Sequence, residues 1–250
     1  MIRRFVTSAL FLSLLTWNAH AQPAAPSADD TAKRAIDVLA GPAWEKARYL
    51  AFTFNVEREG KILASFPQRW DRWTGDYRVS GKDREGHDFL VIMNINTKQG
   101  RGWKDGTEVQ DPKDLLTTGY RRFINDTYWL LMPLKMLDPG VKREAAGERT
   151  DSCGNAWDLV KLSFEAGVGL TPGDQYWAWV NRNSGLVEEW DLLLQGSKPD
   201  DKPTPVKFYD FRRIGGLLIS TKREIVGKNQ WIKLDDVSVL SDVPKGAFEK

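Results

Sequence analysis

Apolar and polar residues alternate with a period of two along most of this chain, and this alternation constrains the fold more than any other feature. The segment that begins at residue 48 places four large apolar side chains on one face of a strand: Leu50, Phe52, Phe54 and Val56. Similar segments follow at short spacing and are separated by turn sequences. The pattern predicts an antiparallel meander with one apolar face.

About eleven segments have such β-like patterns, and a sheet of that size must curl rather than lie flat. They cover residues 48–58, 62–70, 76–81, 88–96, 100–105, 157–164, 175–180, 186–194, 206–211, 217–226 and 231–240. Hairpin turns are predicted at 59–60, 105–106, 183–185 and 214–216. The alternation therefore predicts a mainly β (α+β) fold in which the convex face is wet and the concave face must be covered.

One apolar segment interrupts the strands at residues 125–140, where Pro133 and Pro139 exclude a single continuous helix. We predict a helix over about 113–132 that Pro133 breaks. A curled sheet can bury its concave face if such an insertion lies across it. The residues expected to be buried there are Trp129, Leu130, Leu131, Met132, Leu134, Met136 and Leu137.

The N-terminus has the pattern of a secretory signal. A basic start precedes an apolar run of about 13 residues, which is shorter than the roughly 20 needed to span a bilayer. Ala19-His20-Ala21 fits the cleavage rule, and no cysteine follows for lipidation. We therefore expect a signal peptide over 1–21, a disordered leader over 22–30 and one domain over 31–250, with a helix at 31–39. This predicts a periplasmic or secreted protein without stable membrane insertion.

Charge and composition exclude several classes of function. Removal of Arg3 and Arg4 lowers Lys+Arg from 36 to 34, equal to the 34 Asp+Glu, which argues against a nucleic-acid partner. Cys153 is the only cysteine and is expected to be buried and unreactive. His87 is the only histidine after His20 leaves with the signal, so no cofactor and no metal site are predicted.

Two groups of residues could still carry function. Trp177 and Trp179 lie two apart on one strand and share a face, which fits ordinary sheet aromatics, an aromatic-lined acyl cavity or a sugar platform. Glu188 and Glu189 are adjacent on a predicted strand, so their side chains are expected on opposite faces and unable to act as a glycosidase pair. We therefore predict no catalytic residues and no enzymatic activity.

Several runs together resemble a known family. These are the export signal and the segments 69–78, 128–139 and 169–176 (RWDRWTGDYR, YWLLMPLKMLDP and GLTPGDQY). They look like uncharacterised exported bacterial proteins that are similar to the periplasmic lipoprotein-carrier (LolA/LolB-like) superfamily. The resemblance implies an unclosed antiparallel β-barrel of about eleven strands, with helices plugging the concave face. It carries over no functional residue.

The leading functional hypothesis is a non-enzymatic carrier or binding protein for a lipid or acylated, lipoprotein-like ligand. The alternative is a structural or interaction protein of the cell envelope whose barrel is permanently plugged, and an enzyme acting on envelope lipids or glycans ranks third. Residues expected to line the cavity or form its lid are Phe52, Phe54, Phe66, Trp70, Trp129, Leu130, Met132, Leu134, Met136 and Trp190.

Overall fold

A computed structural model describes residues 26–250 of the chain, and the predicted signal peptide lies outside these residues. Its helices are α1 (Ala28–Leu39), α2 (Ala43–Lys46) and α3 (Lys113–Leu131), and a 3₁₀ helix (Met132–Lys135) follows α3. The strands are β1 (Tyr49–Arg58), β2 (Lys61–Asp71), β3 (Asp76–Lys82), β4 (Asp88–Asn94), β5 (Gly100–Lys104), β6 (Thr107–Glu108), β7 (Val141–Thr150), β8 (Ala156–Phe164), β9 (Gln175–Asn181), β10 (Val187–Leu193), β11 (Val206–Ile214), β12 (Leu217–Ile225) and β13 (Gln230–Leu240).

The thirteen strands form one antiparallel sheet that does not close, in the order β6-β5-β4-β3-β2-β1-β13-β12-β11-β10-β9-β8-β7. The first and last strands, β1 and β13, pair in the middle of this sheet, from Tyr49↔Leu240 to Arg58↔Gln230. Two meanders thus extend from a central pair to the free edges β6 and β7. The open antiparallel architecture predicted from the sequence is confirmed.

The connection between the two edge strands crosses the concave face. It contains α3 and the 3₁₀ helix, and we call residues 113–136 the cover segment. Its helix contacts β3, β4 and β5 on one arm and β12 on the other. Gly119 allows close approach to β4, because a Cβ at that position would lie 2.7 Å from Val91 Cγ1.

Between residues 26 and 250, every helix is too short or too polar to span a bilayer.

The predicted helix break at Pro133 is confirmed, and most of the expected burial is observed. Leu130, Leu131, Met132 and Met136 are buried, while Trp129 and Leu134 are half-buried. The burial predicted for Leu137 is wrong, since it is 40% exposed. Leu137 lies in the short connection between the 3₁₀ helix and the edge strand β7.

Two strands were not anticipated from the sequence. β6 has only two residues, and β7 has the sequence VKREAAGERT, in which charged and small residues outnumber the β-branched and aromatic ones that favour strands. β7 is the edge strand beside β8, and most of its residues are exposed. An edge strand with one neighbour needs no continuous apolar face, so its composition gave no strand signal.

The helix α1 begins earlier than expected, at Ala28 rather than at residue 31. Ser27 caps it, because its side-chain oxygen accepts a hydrogen bond from the Asp30 N–H at 3.1 Å. Asp29 and Asp30 lie in the first turn, where carboxylates are favourable. The last residues of the predicted leader are therefore helical.

The convex face is not exposed to solvent along its whole extent, because the C-terminal residues pack on it. Tyr49 and Trp103 are buried although they alternate with the residues of the concave face. The Phe248 ring meets Tyr49 edge-on at 6.3 Å, and Lys250 Nζ lies 5.8 Å from the Trp103 ring centroid. Arg69 holds this tail by donating to the Ala247 carbonyl at 3.0 Å.

The burial predicted for Cys153 is wrong, because its side chain is exposed. The residue lies in the tight turn between β7 and β8. Here the Asp151 carboxylate accepts hydrogen bonds from the backbone N–H groups of Cys153 and Asn155, both at 2.9 Å. A hairpin tip has no core beneath it, so even a small apolar side chain stays in solvent.

Candidate functional site: the covered concave face

The predicted cavity residues come together between the cover segment and the sheet. Phe52, Phe54 and Leu130 are buried in one apolar cluster, against which Phe66, Trp70, Trp129 and Leu134 pack. Met132, Met136 and Trp190 are buried in a neighbouring cluster, and Trp129 contacts both clusters. All ten residues therefore belong to one apolar interface, while their contact with a ligand stays a prediction.

Strand register explains why the sheet side of this interface is aromatic. Phe54 lies directly opposite Phe66 in the β1–β2 pair, and Leu50 lies opposite Trp70. Directly opposed side chains on one face pack against each other, so the two strands present a continuous apolar surface. The Trp70 ring then meets Phe123 of α3 edge-on, with ring centroids 5.0 Å apart.

A second aromatic group lies under the other end of the cover segment. Trp190 is fully buried, and its ring centroid is 6.5 Å from Tyr128 of α3 and 6.1 Å from Tyr176 of β9. Tyr176 donates to the Asp174 carboxylate at 2.6 Å. Trp190 was expected at this site from the sequence, whereas the two tyrosines were not, although the two-residue period of β9 places Tyr176 on the face opposite to Trp177.

A buried polar network fixes the middle of the cover segment. The Asp126 carboxylate is fully buried, accepts from Gln68 Nε2 at 2.5 Å and from Asn125 Nδ2 at 2.7 Å, and lies 3.6 Å from Arg122 Nη1. Gln68 in turn accepts from the Tyr77 hydroxyl. Burial raises the pKa of Asp126 to about 6, although Arg122 opposes the shift. This network was not recognised in the sequence, where Asp126 reads as an ordinary helix residue.

A buried arginine lies farther along the concave face. Arg223 of β12 is almost fully buried, and its guanidinium carbon is 4.7 Å from the centroid of the Phe208 ring. Within residues 26–250, its Nε and Nη1 atoms have no hydrogen-bond partner. Burial lowers the pKa of Arg223 to about 9, so the side chain remains charged at neutral pH. Arg223 was not expected at the site, because one arginine in a strand is normally a surface residue.

Comparison with solved structures identifies this architecture. A LolA superfamily protein from Nitrosomonas europaea superposes with a TM-score of 0.53 at 9% sequence identity, covering 90% of this chain and 99% of that one. The fold is LolA-like. This confirms the fold-level resemblance seen in the sequence.

Two further structures show a weaker likeness to this LolA-like fold. The lipoprotein LppX of Mycobacterium tuberculosis has a TM-score of 0.30 at 11% identity, with 86% of this chain and 95% of that chain covered. A Pseudomonas aeruginosa MucA/MucB complex has a TM-score of 0.28 at 11% identity, with 89% and 60% covered. No protein-family model and no curated protein sequence matches this chain.

The interior of this LolA-like fold is tightly filled around Arg223. A cavity of about 10 Å³ lies there, lined by residues of α1, the cover segment, β11 and β12. Ligand pockets for drug-sized molecules typically measure about 300–1,000 Å³. A ligand could therefore enter this part of the interior only if the cover segment moved.

The expectation that Glu188 and Glu189 face opposite sides is wrong. The β9–β10 register shifts between Val187 and Glu189, which marks a β-bulge. Both carboxylates contact residues of the convex face: Glu188 accepts from Trp157 Nε1 at 2.8 Å, and Glu189 lies 3.2 Å from Arg149 Nη1. Each carboxylate is thus held by a partner on the outer surface, away from the covered interior.

The tryptophans of the convex face are covered by cationic side chains. The Arg149 guanidinium carbon lies 4.1 Å from the Trp179 ring centroid and 5.0 Å from that of Trp157. Lys161 Nζ approaches Trp177 at 5.8 Å. Cation–π pairs of this kind recur in folded proteins without a ligand-binding role. It favours the interpretation of these tryptophans as ordinary sheet aromatics over a sugar platform.

Proposed function

We propose that this protein is a non-enzymatic carrier or binding protein for a lipid or acylated ligand, exported to the periplasm or secreted. The observation that supports this most is the apolar interface between the cover segment and the curved sheet. Each CH₂ group of an acyl chain gains about 0.8 kcal/mol when it leaves water. An acyl chain placed between Trp129, Leu134 and the aromatic residues of β1 and β2 would gain this burial in exchange for contacts of the cover segment.

The way the cover segment is held favours opening at moderate cost. Its contacts with the sheet are mainly apolar, and such contacts can be exchanged for equivalent contacts with a ligand. The ionised Asp126 carboxylate is desolvated in the closed arrangement, which costs free energy at neutral pH. Met132 and Met136 at its end are flexible side chains that adapt to altered neighbours.

A permanently plugged interaction protein is the second candidate. The small cavity beside Arg223 favours it, because side chains of the cover segment already fill that part of the concave face. The two functions differ in the energetics of the cover segment. A plug belongs to the core, whereas a lid must separate from it.

Replacement of Trp129 by Ala distinguishes a lid from a plug. For a lid, we expect a loss of unfolding free energy well below the about 3–5 kcal/mol typical of a large core aromatic, together with weaker binding of a fluorescent fatty-acyl probe. Trp129 is half-buried and contacts both apolar clusters. Its removal should therefore weaken the packing of the cover segment without creating a large cavity in the core. Urea unfolding and fluorescence titration of wild type and variant measure both quantities.

The control for this experiment is Trp73→Ala, because Trp73 is 60% exposed and lies outside the cover segment. It should leave probe binding unchanged. If the wild type binds no acyl probe and Trp129→Ala loses the full core-aromatic free energy, the carrier function is wrong and the plugged protein remains.

A reversible cross-link tests directly whether the cover segment must open. A Cβ at Gly119 would lie 3.2 Å from the Val91 Cβ, close to the about 3.5–4.5 Å that a disulfide requires. In a Cys153→Ser background, the Gly119→Cys/Val91→Cys variant should lose acyl-probe binding when oxidised and regain it on reduction. The reduced variant is its own control. Equal binding in both redox states would show that α3 does not separate from β4 when the probe enters.

A further inference from the structure

Arg223 is a charged residue buried in an almost entirely apolar environment. The side chain extends from β12 into the covered interior, where it stacks on Phe208. Two of its nitrogen atoms are buried, and within residues 26–250 they have no hydrogen-bond partner. A buried guanidinium normally pairs with a carboxylate or with carbonyl groups, because its desolvation is otherwise uncompensated.

The carboxylates of β12 itself and of the neighbouring strand β11 have other partners. Asp210 of β11 lies 2.9 Å from Arg212 and accepts from the Thr221 hydroxyl at 2.6 Å. Glu224, the residue after Arg223, accepts from the Tyr209 hydroxyl at 3.0 Å. These acids are engaged in contacts of their own, which leaves the charge of Arg223 to be met by a group from outside the described part of the chain.

The remaining surroundings of Arg223 are mostly apolar. The small cavity beside it is lined by Leu130, Pro133 and Leu134 of the cover segment and by Leu39 of α1. Leu130 and Leu134 are also among the residues that we assign to the acyl-chain interface. The charged group and the apolar surface therefore lie under the same cover.

We propose that Arg223 binds the anionic head group of an acylated ligand, a carboxylate or a phosphate, whose chain lies under the cover segment. This inference rests on the proposed carrier function and narrows its ligand class to anionic amphiphiles. The planar guanidinium presents parallel N–H donors that match two oxygen atoms of a carboxylate or phosphate. In an apolar interior, such a pair is much stronger than in water, since little solvent screens it.

The test compares three fluorescent probes with the same acyl chain: a fatty acid, its methyl ester and a monoacyl phosphate. The wild type should bind at least one of the two anionic probes about tenfold or more tighter than the neutral ester. Arg223→Met should bind the ester as the wild type does and lose the preference for the anions. Arg223→Lys retains a cation without the bidentate geometry, so an intermediate preference is expected.

The outcomes separate this inference from the function on which it rests. Binding of all three probes with equal affinity by the wild type, a comparison that needs no variant, would overturn the role of Arg223 and leave the carrier function standing. An anion preference that survives in Arg223→Met would likewise overturn the role of Arg223 and leave the carrier function standing. If the wild type binds none of the probes, both the carrier function and the anion site are wrong. A preference for only one anion supports the inference and identifies the head group.

Discussion

Trp190→Ala is expected to lower the free energy of unfolding by about 3–5 kcal/mol, the range for a fully buried large aromatic. Trp190 has no exposed surface, and its ring packs against Tyr128 and Tyr176. Truncation leaves a cavity where β9, β10 and the cover segment meet, and a close-packed interior cannot fill it without distortion. Chemical unfolding monitored by circular dichroism measures the loss.

Trp73→Ala is the matched control, because the same truncation at a 60% exposed site removes little buried surface. Its free energy of unfolding should fall by about 1 kcal/mol or less. A loss at Trp190 no larger than the loss at Trp73 would contradict the packing around Tyr128 and Tyr176.

Asp126→Asn is expected to stabilise the protein at neutral pH. The pKa of Asp126 is about 6 in the folded protein and 3.8 ordinarily, so folding favours the protonated carboxyl group. Its contribution to stability is fully present below pH 4 and is lost as the pH rises through 6. The difference corresponds to roughly 3 kcal/mol at pH 7 and above. Asn retains an oxygen that accepts from Gln68 and carries no charge to desolvate.

The measurement is the free energy of unfolding of wild type and variant between pH 4 and pH 8. The stability gain of Asp126→Asn should be small at pH 4 and grow as the pH rises. Asp200→Asn, in an exposed loop, should show no such trend. A variant that is less stable than the wild type at pH 8 would mean that the contact with Arg122 outweighs the desolvation of the carboxylate.

Local patterns were sufficient to predict the architecture. The alternation in β1 and the Glu59-Gly60 turn, where both residues have positive φ, specify a hairpin from neighbouring residues alone. Pro133 ends α3 for an equally local reason, since a proline ring is incompatible with a continuing helix. Because the residues around Trp129 are apolar, this segment was expected to be buried. The concave face of the sheet was the surface that could bury it.

The polar chemistry of the interior depended on contacts between residues far apart in the chain. Asp126 can be buried because Gln68, on a strand far from α3 in sequence, donates to it and in turn accepts from the Tyr77 hydroxyl. Arg223 is buried because the sheet curls and the cover segment encloses that end of β12. Burial of a charge is set by what surrounds it in three dimensions, and a period of two specifies only which face a side chain occupies.

The wrong predictions have a related cause, since a period of two specifies neither a bulge in a strand pair, nor an edge position, nor the tip of a turn. A β-bulge turned Glu188 and Glu189 to one face, and an edge position allowed β7 to form without an apolar pattern. Cys153 is exposed because it lies at a hairpin tip. Repeating local patterns could therefore be read from the chain, whereas bulges, edge positions and buried charges depend on how each strand pairs and packs in the folded sheet.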